Sequence, residues 1–249
     1  MLHNNFTVDK ILRGKISIIQ FKKGFRYGFE AVFLASFVNG YLKKLKKKTI
    51  ALADVGSGVG TISLIIAYHN NKINITAIEN NDNYLQIANE NIVINNFQRK
   101  INVIHEDIFN IDNHLINRFD IVVTNPPFYD RKQKKSENEL DNYAKRIINY
   151  ESWIENSLKL LKDKGIIFLI IPTGLLEKSL KILSKKTGSF KIFPIWPNQK
   201  KSSKRLILLA KKGGASPTEL MSGMRLLNNR GKITKKARSY SDNGIFNFL

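Results

Sequence analysis

From residue 49 to residue 212 short apolar runs alternate with segments of helical spacing, and few folds accommodate that alternation. "TIALADV" (49–55), "INITAIE" (73–79), "INVIHED" (101–107), "FDIVVT" (119–124) and "GIIFLII" (165–171) read as strands. Between them "TISLIIAYHN" reads as a helix. So does "DNYLQIANENIVINN" (82–96), where Leu85, Ala88 and Ile92 fall at helical spacing. "YESWIENSLKLLKD" (150–163) is an amphipathic helix and "LLEKSLKILSKK" a further helix. "FKIFPIW" and "KRLILLAKK" close the series as strands. Such alternation predicts an α/β fold with a mainly parallel sheet. The unbroken apolar character of 165–171 predicts a strand buried on both faces.

Residues 1–48 precede this core and read as an N-terminal addition. Residues 49–212 are the core, and 213–249 form a basic, Gly/Ser/Asn-rich tail expected to be ordered only in part. No internal repeat is visible. Hydrophobic residues make up 43% of the chain, enough for a proper core. There is no cysteine, which excludes disulfides, thiolate nucleophiles and Cys-based zinc sites; no metal site is expected. The start, "MLHNNFTVDKILRG", lacks the apolar region of a signal peptide, and no apolar run approaches the ~20 residues of a spanning helix. The expected setting is the cytoplasm, with no membrane association and no obligate protein partner.

"DVGSGVG", Asp54 to Gly60, joins a strand to a helix. Gly56, Gly58 and Gly60 permit a tight turn and close approach of backbone to a ligand. The helix that follows offers free N–H groups. The glycines fit G-x-G-x-x-G poorly, and the Lys-Ser/Thr of a phosphate-binding P-loop is absent. Asp54, just before the first glycine, suits an ammonium or another cationic ligand better than a pyrophosphate. Glu79 ends the next strand, where an acid holds ribose hydroxyls. Asp107 ends the third, where an acid can accept from an adenine amine or simply cap the next segment. Three successive strand ends carrying acids describe a nucleoside pocket with a positive charge in it. S-adenosylmethionine fits that description better than NAD.

The fourth strand runs into Asn125-Pro126-Pro127-Phe128. Proline cannot continue a sheet ladder, so the strand must stop there. An exocyclic amine on a planar ring needs an acceptor for each of its two hydrogens. The Asn125 side chain supplies one and the Pro126 carbonyl another. Pro126 and Pro127 fix φ and hold that carbonyl in place. Phe128, with Tyr129 beside it, offers a flat surface for a flipped-out base, worth roughly 1–3 kcal/mol. A sulfonium methyl needs no strong base, because its leaving group departs neutral.

These residues together resemble the motifs of class I S-adenosylmethionine-dependent amino-methyltransferases. "KKGFRYGFEAVFLASFV" (22–38), "FKIFPIWPNQKKSSKRLILLAKKG" (190–213) and "GMRLLNNRGKITKKA" resemble the bacterial tRNA adenine-N6 methyltransferases that modify A37 of a valine tRNA. The resemblance implies a Rossmann-like, seven-stranded, mainly parallel sheet with helices on both faces and an antiparallel last strand. It implies S-adenosyl-L-methionine as cofactor, held by Asp54, Gly56, Gly58, Gly60, Glu79, Asp107 and Asn125. It also implies that 22–35 packs beside the methionine end, so the N-terminal addition contributes to the site. The family usually carries a Thr-Asp or similar pair where this chain has Phe29-Glu30; Glu30 is expected near the cofactor.

The net charge of +21 is a footprint of polyanion binding, with tRNA the foremost partner. Lys132, Lys134 and Lys135 follow the NPPF corner, where they could grip phosphates flanking the base. Lys200, Lys201, Lys204 and Arg205 could bind a further stretch of RNA. The expected reaction is methyl transfer to the N6 of an adenine in tRNA, at A37. The alternatives are another nucleic-acid base, a protein glutamine amide, or a non-catalytic RNA-binding protein that has kept the fold.

Overall fold

A computed structural model describes residues 5–23, 26–45, 49–127 and 150–247. The chain opens with a hairpin of β1 (Phe6–Ile11) and β2 (Ile16–Phe21), followed by α1 (Phe29–Leu42). The alternating core follows: β3 (Ile50–Val55), α2 (Thr61–His69), β4 (Ile73–Glu79), α3 (Asp82–Ile94), β5 (Ile101–His105) and β6 (Phe119–Thr124). After these come α4 (Tyr150–Lys159), β7 (Leu161–Pro172), α5 (Leu176–Leu183), β8 (Thr187–Trp196) and β9 (Arg205–Lys212). Two short strands, β10 (Glu219–Leu220) and β11 (Met224–Arg225), and α6 (Lys235–Asn243) complete it. Among the described residues no helix is long and apolar enough to cross a membrane.

The core strands lie in the order β8-β9-β7-β6-β3-β4-β5. All run parallel except β9, which is antiparallel to both β7 and β8. This is the seven-stranded sheet with its last strand reversed; β10 and β11 then pair along the outer edge of β8. Strand order reverses between β3 and β6. The carboxyl ends of those two strands therefore flank a crevice, the place where open α/β sheets bind ligands.

β7 shows why the sheet sits where it does. Ile166, Phe168 and Ile170 pack into one apolar cluster, and Ile167, Leu169 and Ile171 into the other. Side chains alternate faces along a strand, so a continuous apolar run is what two covered faces require. The helix expected over 150–163 stops at Lys159 instead. Leu161 pairs with Phe119, and the backbone joins the sheet early.

Before and after this core the chain packs onto α1. That helix is buried on nearly every side, from Ala31 to Gly40. Its Asn39 amide donates to the Ile65 carbonyl (3.2 Å) and the Gly244 carbonyl (2.8 Å), joining α1 to α2 and to the C-terminal segment. Phe246 packs against Phe37 and Phe193 and stacks on Tyr240. The hairpin is held differently. Asn91 on α3 accepts from Ile19 N–H (2.7 Å) and donates to its carbonyl (2.9 Å), and Asn95 does the same for Ser17 (3.0 and 2.7 Å). Two amides one helical turn apart thus substitute for a neighbouring strand along the β2 edge.

Candidate active site

The first wall of the crevice is the turn between β3 and α2. Gly56, Gly58 and Gly60 all adopt positive φ (+70°, +55° and +85°). Gly56 is required twice over, because a Cβ there would stand 2.9 Å from the Trp153 ring. At Gly58 a Cβ would meet nothing within 4 Å, so the turn leaves open space there. Gly56 and Ser57 both donate to the Ile78 carbonyl (2.9 and 3.1 Å), which fixes the turn against β4. Asn91 reaches the same turn from α3 and donates to the Val59 carbonyl (2.9 Å).

Asp54 lies fully buried on β3 beneath this turn. Its Oδ2 accepts from the Ser63 N–H (3.1 Å) and hydroxyl (2.7 Å). Its Oδ1 is buried with no hydrogen-bond partner among the described residues, as are Ser57 Oγ and Thr61 Oγ1. Burial pushes the Asp54 carboxyl up to about 7; the Ser63 bonds oppose this and the nearby Glu79 adds to it. Native chains rarely leave buried polar atoms unpaired, since each costs ~1–3 kcal/mol. An orphaned carboxylate oxygen below a turn that carries two orphaned hydroxyls fits a polar, cationic ligand.

Glu79, the last residue of β4, is buried and takes three backbone donors. Gly58 N–H binds Oε2 (2.8 Å), and the Asn80 and Asn81 N–H groups bind Oε1 (3.1 and 3.0 Å). Burial raises its pKa while these bonds lower it. A carboxylate has about four acceptor sites, so one remains for a ligand hydroxyl. Asp107 stands two residues beyond β5, whose pairing ends at His105 rather than running to 107. Its Oδ1 accepts from Phe109 N–H (2.9 Å) and caps a short 3-10 turn.

The second wall is the end of β6. Thr124 Oγ1 donates to the Val55 carbonyl (2.9 Å) and accepts from the Trp153 indole N–H (3.0 Å). That chain locks the two walls together and to α4. Asn125 follows, half-buried, with Pro126 buried and Pro127 half-buried. Among the described residues the Asn125 amide makes no hydrogen bond. Phe128, Lys132, Lys134 and Lys135 lie outside the described residues.

Asp54, the three glycines, Glu79 and Asn125 are thus gathered at the strand-order reversal. Glu30 and Arg205 meet elsewhere on the same sheet edge, where Arg205 Nε stands 3.3 Å from Glu30 Oε1. Lys200, Lys201 and Lys204 are exposed on the β8–β9 loop. The sequence reading passed over Ser57, Thr61, Ser63, Thr124 and Trp153. Ser57 and Thr61 were readable as hydroxyls within and just after the glycine turn. Trp153, an indole within a polar helix, also stood out.

Comparison with known proteins agrees with this architecture. Residues 39–193 match the family model described as "Methyltransferase small domain". A tRNA1(Val) (adenine(37)-N6)-methyltransferase of a Flavobacteriaceae bacterium (strain 3519-10) is 26% identical over 158 residues, 64% of each chain. Its counterpart from Flavobacterium psychrophilum is 24% identical over 182 residues, 73% of this chain and 74% of that one. The alignment with the first of these relatives spans less than two thirds of its length. Among solved structures, a predicted O-methyltransferase of Agrobacterium tumefaciens superposes with a TM-score of 0.70 at 19% identity, covering 88% of this chain and 97% of that chain. TYW2 of M. jannaschii in complex with AdoMet superposes at 0.58 and 14% identity, covering 83% and 85%. Both likenesses are of fold.

Proposed function

Because the chain belongs to the methyltransferase small domain family, we propose that it transfers a methyl group from S-adenosyl-L-methionine to the exocyclic N6 of an adenine in tRNA, at A37. The observation that carries this reading is the unpartnered Asp54 Oδ1, buried one strand away from an Asn125 amide with no partner among the described residues. The curated relatives bear the name of that reaction.

Asp54, the glycine turn and Glu79 are the residues that would hold the cofactor. When bound, S-adenosylmethionine supplies an electrophilic methyl group on a cationic sulfur. The chain's own contribution is placement. Asp54 offers a carboxylate to positive charge, and Glu79 keeps an acceptor site for a ribose hydroxyl. Asp107 uses one oxygen for its cap and leaves the other for an adenine amine. On the opposite wall, Asn125 Oδ1 and the Pro126 carbonyl take the two hydrogens of the target amine. This aims the nitrogen lone pair into the crevice, and once the new bond has formed the amine releases its surplus proton to solvent water. Phe128 would stack on the base and Lys132, Lys134 and Lys135 would hold flanking phosphates, whereas Glu30 is engaged by Arg205. A tRNA substrate places the reaction in the cytoplasm.

The test is nucleoside mass spectrometry of tRNA from a deletion strain, with and without the restored gene. The expected result is loss of N6-methyladenosine at position 37, recovered on complementation. An unchanged tRNA profile overturns the substrate. It would turn the search to another nucleic-acid base or to a protein glutamine amide.

A further inference from the structure

Cations on β8 and β9 are treated in two ways. Lys191, midway along β8, is neutralised by Glu219, and Arg205, at the carboxyl edge of the sheet, by Glu30. Beyond them, between the β8–β9 loop and the C-terminal segment, a cleft of ≈ 780 Å³ opens with Trp196 in its wall. Its lining includes Lys200, Lys201, Arg225 and Lys236, and no acidic residue. None of these cations forms an ion pair among the described residues. Asn198, Gln199, Ser202 and Ser222 add amides and hydroxyls to the same wall. Unneutralised cations with neutral donors, and no carboxylate to repel an anion, suit phosphodiester oxygens.

The cleft is also built. Of residues 213–236 only Gly223 and Met224 are buried, with Met221 and Leu226 packed partly against the core, so apolar anchoring is confined to 221–226. Backbone bonds add to it. Leu226 N–H donates to the Trp196 carbonyl (2.8 Å) and Leu227 N–H to the Pro197 carbonyl (2.9 Å). Thr234 returns to bind Leu226 through its N–H (2.8 Å) and Arg225 through its hydroxyl (2.7 Å). Gly223, at φ +70°, fits against the Pro194 carbonyl and the Trp196 ring, where no Cβ has room. Ordering a residue costs ~1–2 kcal/mol of backbone entropy. A basic segment fixed in this way is preorganised for a partner.

β8 runs parallel to β6, so its end opens on the same edge as Asn125. Three strand spacings of ~4.8 Å separate the two strand ends, roughly 14 Å in all. At ~3.4 Å of rise per nucleotide that is about four nucleotides.

We propose that Lys200, Lys201, Arg225 and Lys236 form a cleft for the sugar–phosphate backbone of the substrate RNA, about four nucleotides from the base held at Asn125. This rests on the reading that the substrate is RNA. The test compares the full chain with a variant carrying Lys200→Gln, Lys201→Gln, Arg225→Gln and Lys236→Gln. Binding of an unmodified tRNA transcript is measured at several salt concentrations, with S-adenosylmethionine affinity measured by calorimetry. The expected variant keeps its cofactor affinity and binds tRNA at least ~10-fold more weakly. Its plot of log affinity against log salt is shallower by about 3, from ~0.7–0.9 per lost phosphate contact. An unchanged slope in a variant that still binds cofactor overturns the proposal. So does loss of binding to anionic phosphatidylglycerol vesicles with tRNA binding intact, which would make the occupant a membrane. If the wild-type chain makes no N6-methyladenosine in tRNA but the slope still falls, the methylation reading fails and the cleft stands.

Discussion

The crevice and the basic cleft open on one sheet edge and are stabilised in opposite ways. In the crevice the polar groups are few and buried, and some are unpaired: Asp54 Oδ1, Ser57 Oγ and Thr61 Oγ1. In the cleft they are many and charged, held by a frame of backbone hydrogen bonds. A buried orphan discriminates strongly, because only a ligand that pairs it recovers its desolvation. An exposed cation discriminates weakly but reaches further, and salt screens it. The first suits a small ligand of one shape, and the second a polymer of repeating charge. Substitutions in the crevice should therefore act on transfer and cofactor binding at any salt. Those in the cleft should act through salt.

The largest effect is expected at Asn125. Asn125→Ala should lower the transfer rate by roughly 10²–10³-fold, as for other losses of one positioned transition-state hydrogen bond. Cofactor affinity and the salt slope of tRNA binding should stay as in the wild type. Near-normal turnover would remove Asn125 from the reaction, and an altered slope would blur the two regions into one. Gly56→Ala comes next. It forces a Cβ into the Trp153 ring and a side chain into positive φ, for about 2–4 kcal/mol of lost stability. Denaturant unfolding measures it, and a loss under 1 kcal/mol would mean that Trp153 moves aside freely.

Asp54→Asn should weaken cofactor binding by about 10–100-fold, the scale of one hydrogen bond to a charged group. It also carries a pH signature. The folded Asp54 carboxyl titrates at about 7, above its ordinary value of 3.8. Between about pH 4 and 7 the folded chain thus keeps a proton that the unfolded chain has released. Stability falls as pH rises through that window, by up to roughly 4 kcal/mol. Glu79, raised by burial as well, adds to the fall. Cofactor affinity runs the other way. A cation favours the ionised carboxyl, so affinity should rise with pH through about 7. The ligand's amine titrates nearby, so the difference between wild-type and Asp54→Asn profiles is what reports Asp54. Parallel profiles would place the cation elsewhere.

The crevice was more legible than its surroundings for a physical reason. Strand ends and tight turns are local, so the spacing of Asp54, the glycines, Glu79 and Asn125 along the chain already determines which edge they share. The end of β5 was less plain: the strand reads as running to the acid at 107, but the apolar run ends at Ile104 and pairing stops at His105. Helix α1 gave no amphipathic signal because it is buried all round. The hairpin edge is satisfied by Asn91 and Asn95, some 70 residues away, and no local pattern announces such a bond. Leu160 and Leu161 continue a helical pattern that pairing with Phe119 interrupts. The cleft was legible only as charge. Its frame comes from backbone bonds to Trp196 and Pro197, which composition does not encode.

The smallest expected effect lies at the joint of the two crevice walls. Thr124→Val keeps the shape of the side chain but removes the hydroxyl between the Val55 carbonyl and the Trp153 indole. Both partners lose a buried hydrogen bond, for about 1–3 kcal/mol of stability. The consequence for function should be selective. The cofactor contacts proposed for Asp54, the glycine turn and Glu79 are on the β3–β4 side and should persist, while Asn125, the next residue on β6, loses its fixed distance from them. Turnover should therefore fall by about 10-fold with cofactor affinity nearly unchanged, because small misplacements of a reacting group are costly. A variant that loses affinity and turnover together would show that Thr124 supports the glycine turn itself. The hydroxyl would then be part of the cofactor wall, and the crevice one unit instead of two walls pinned by a single side chain.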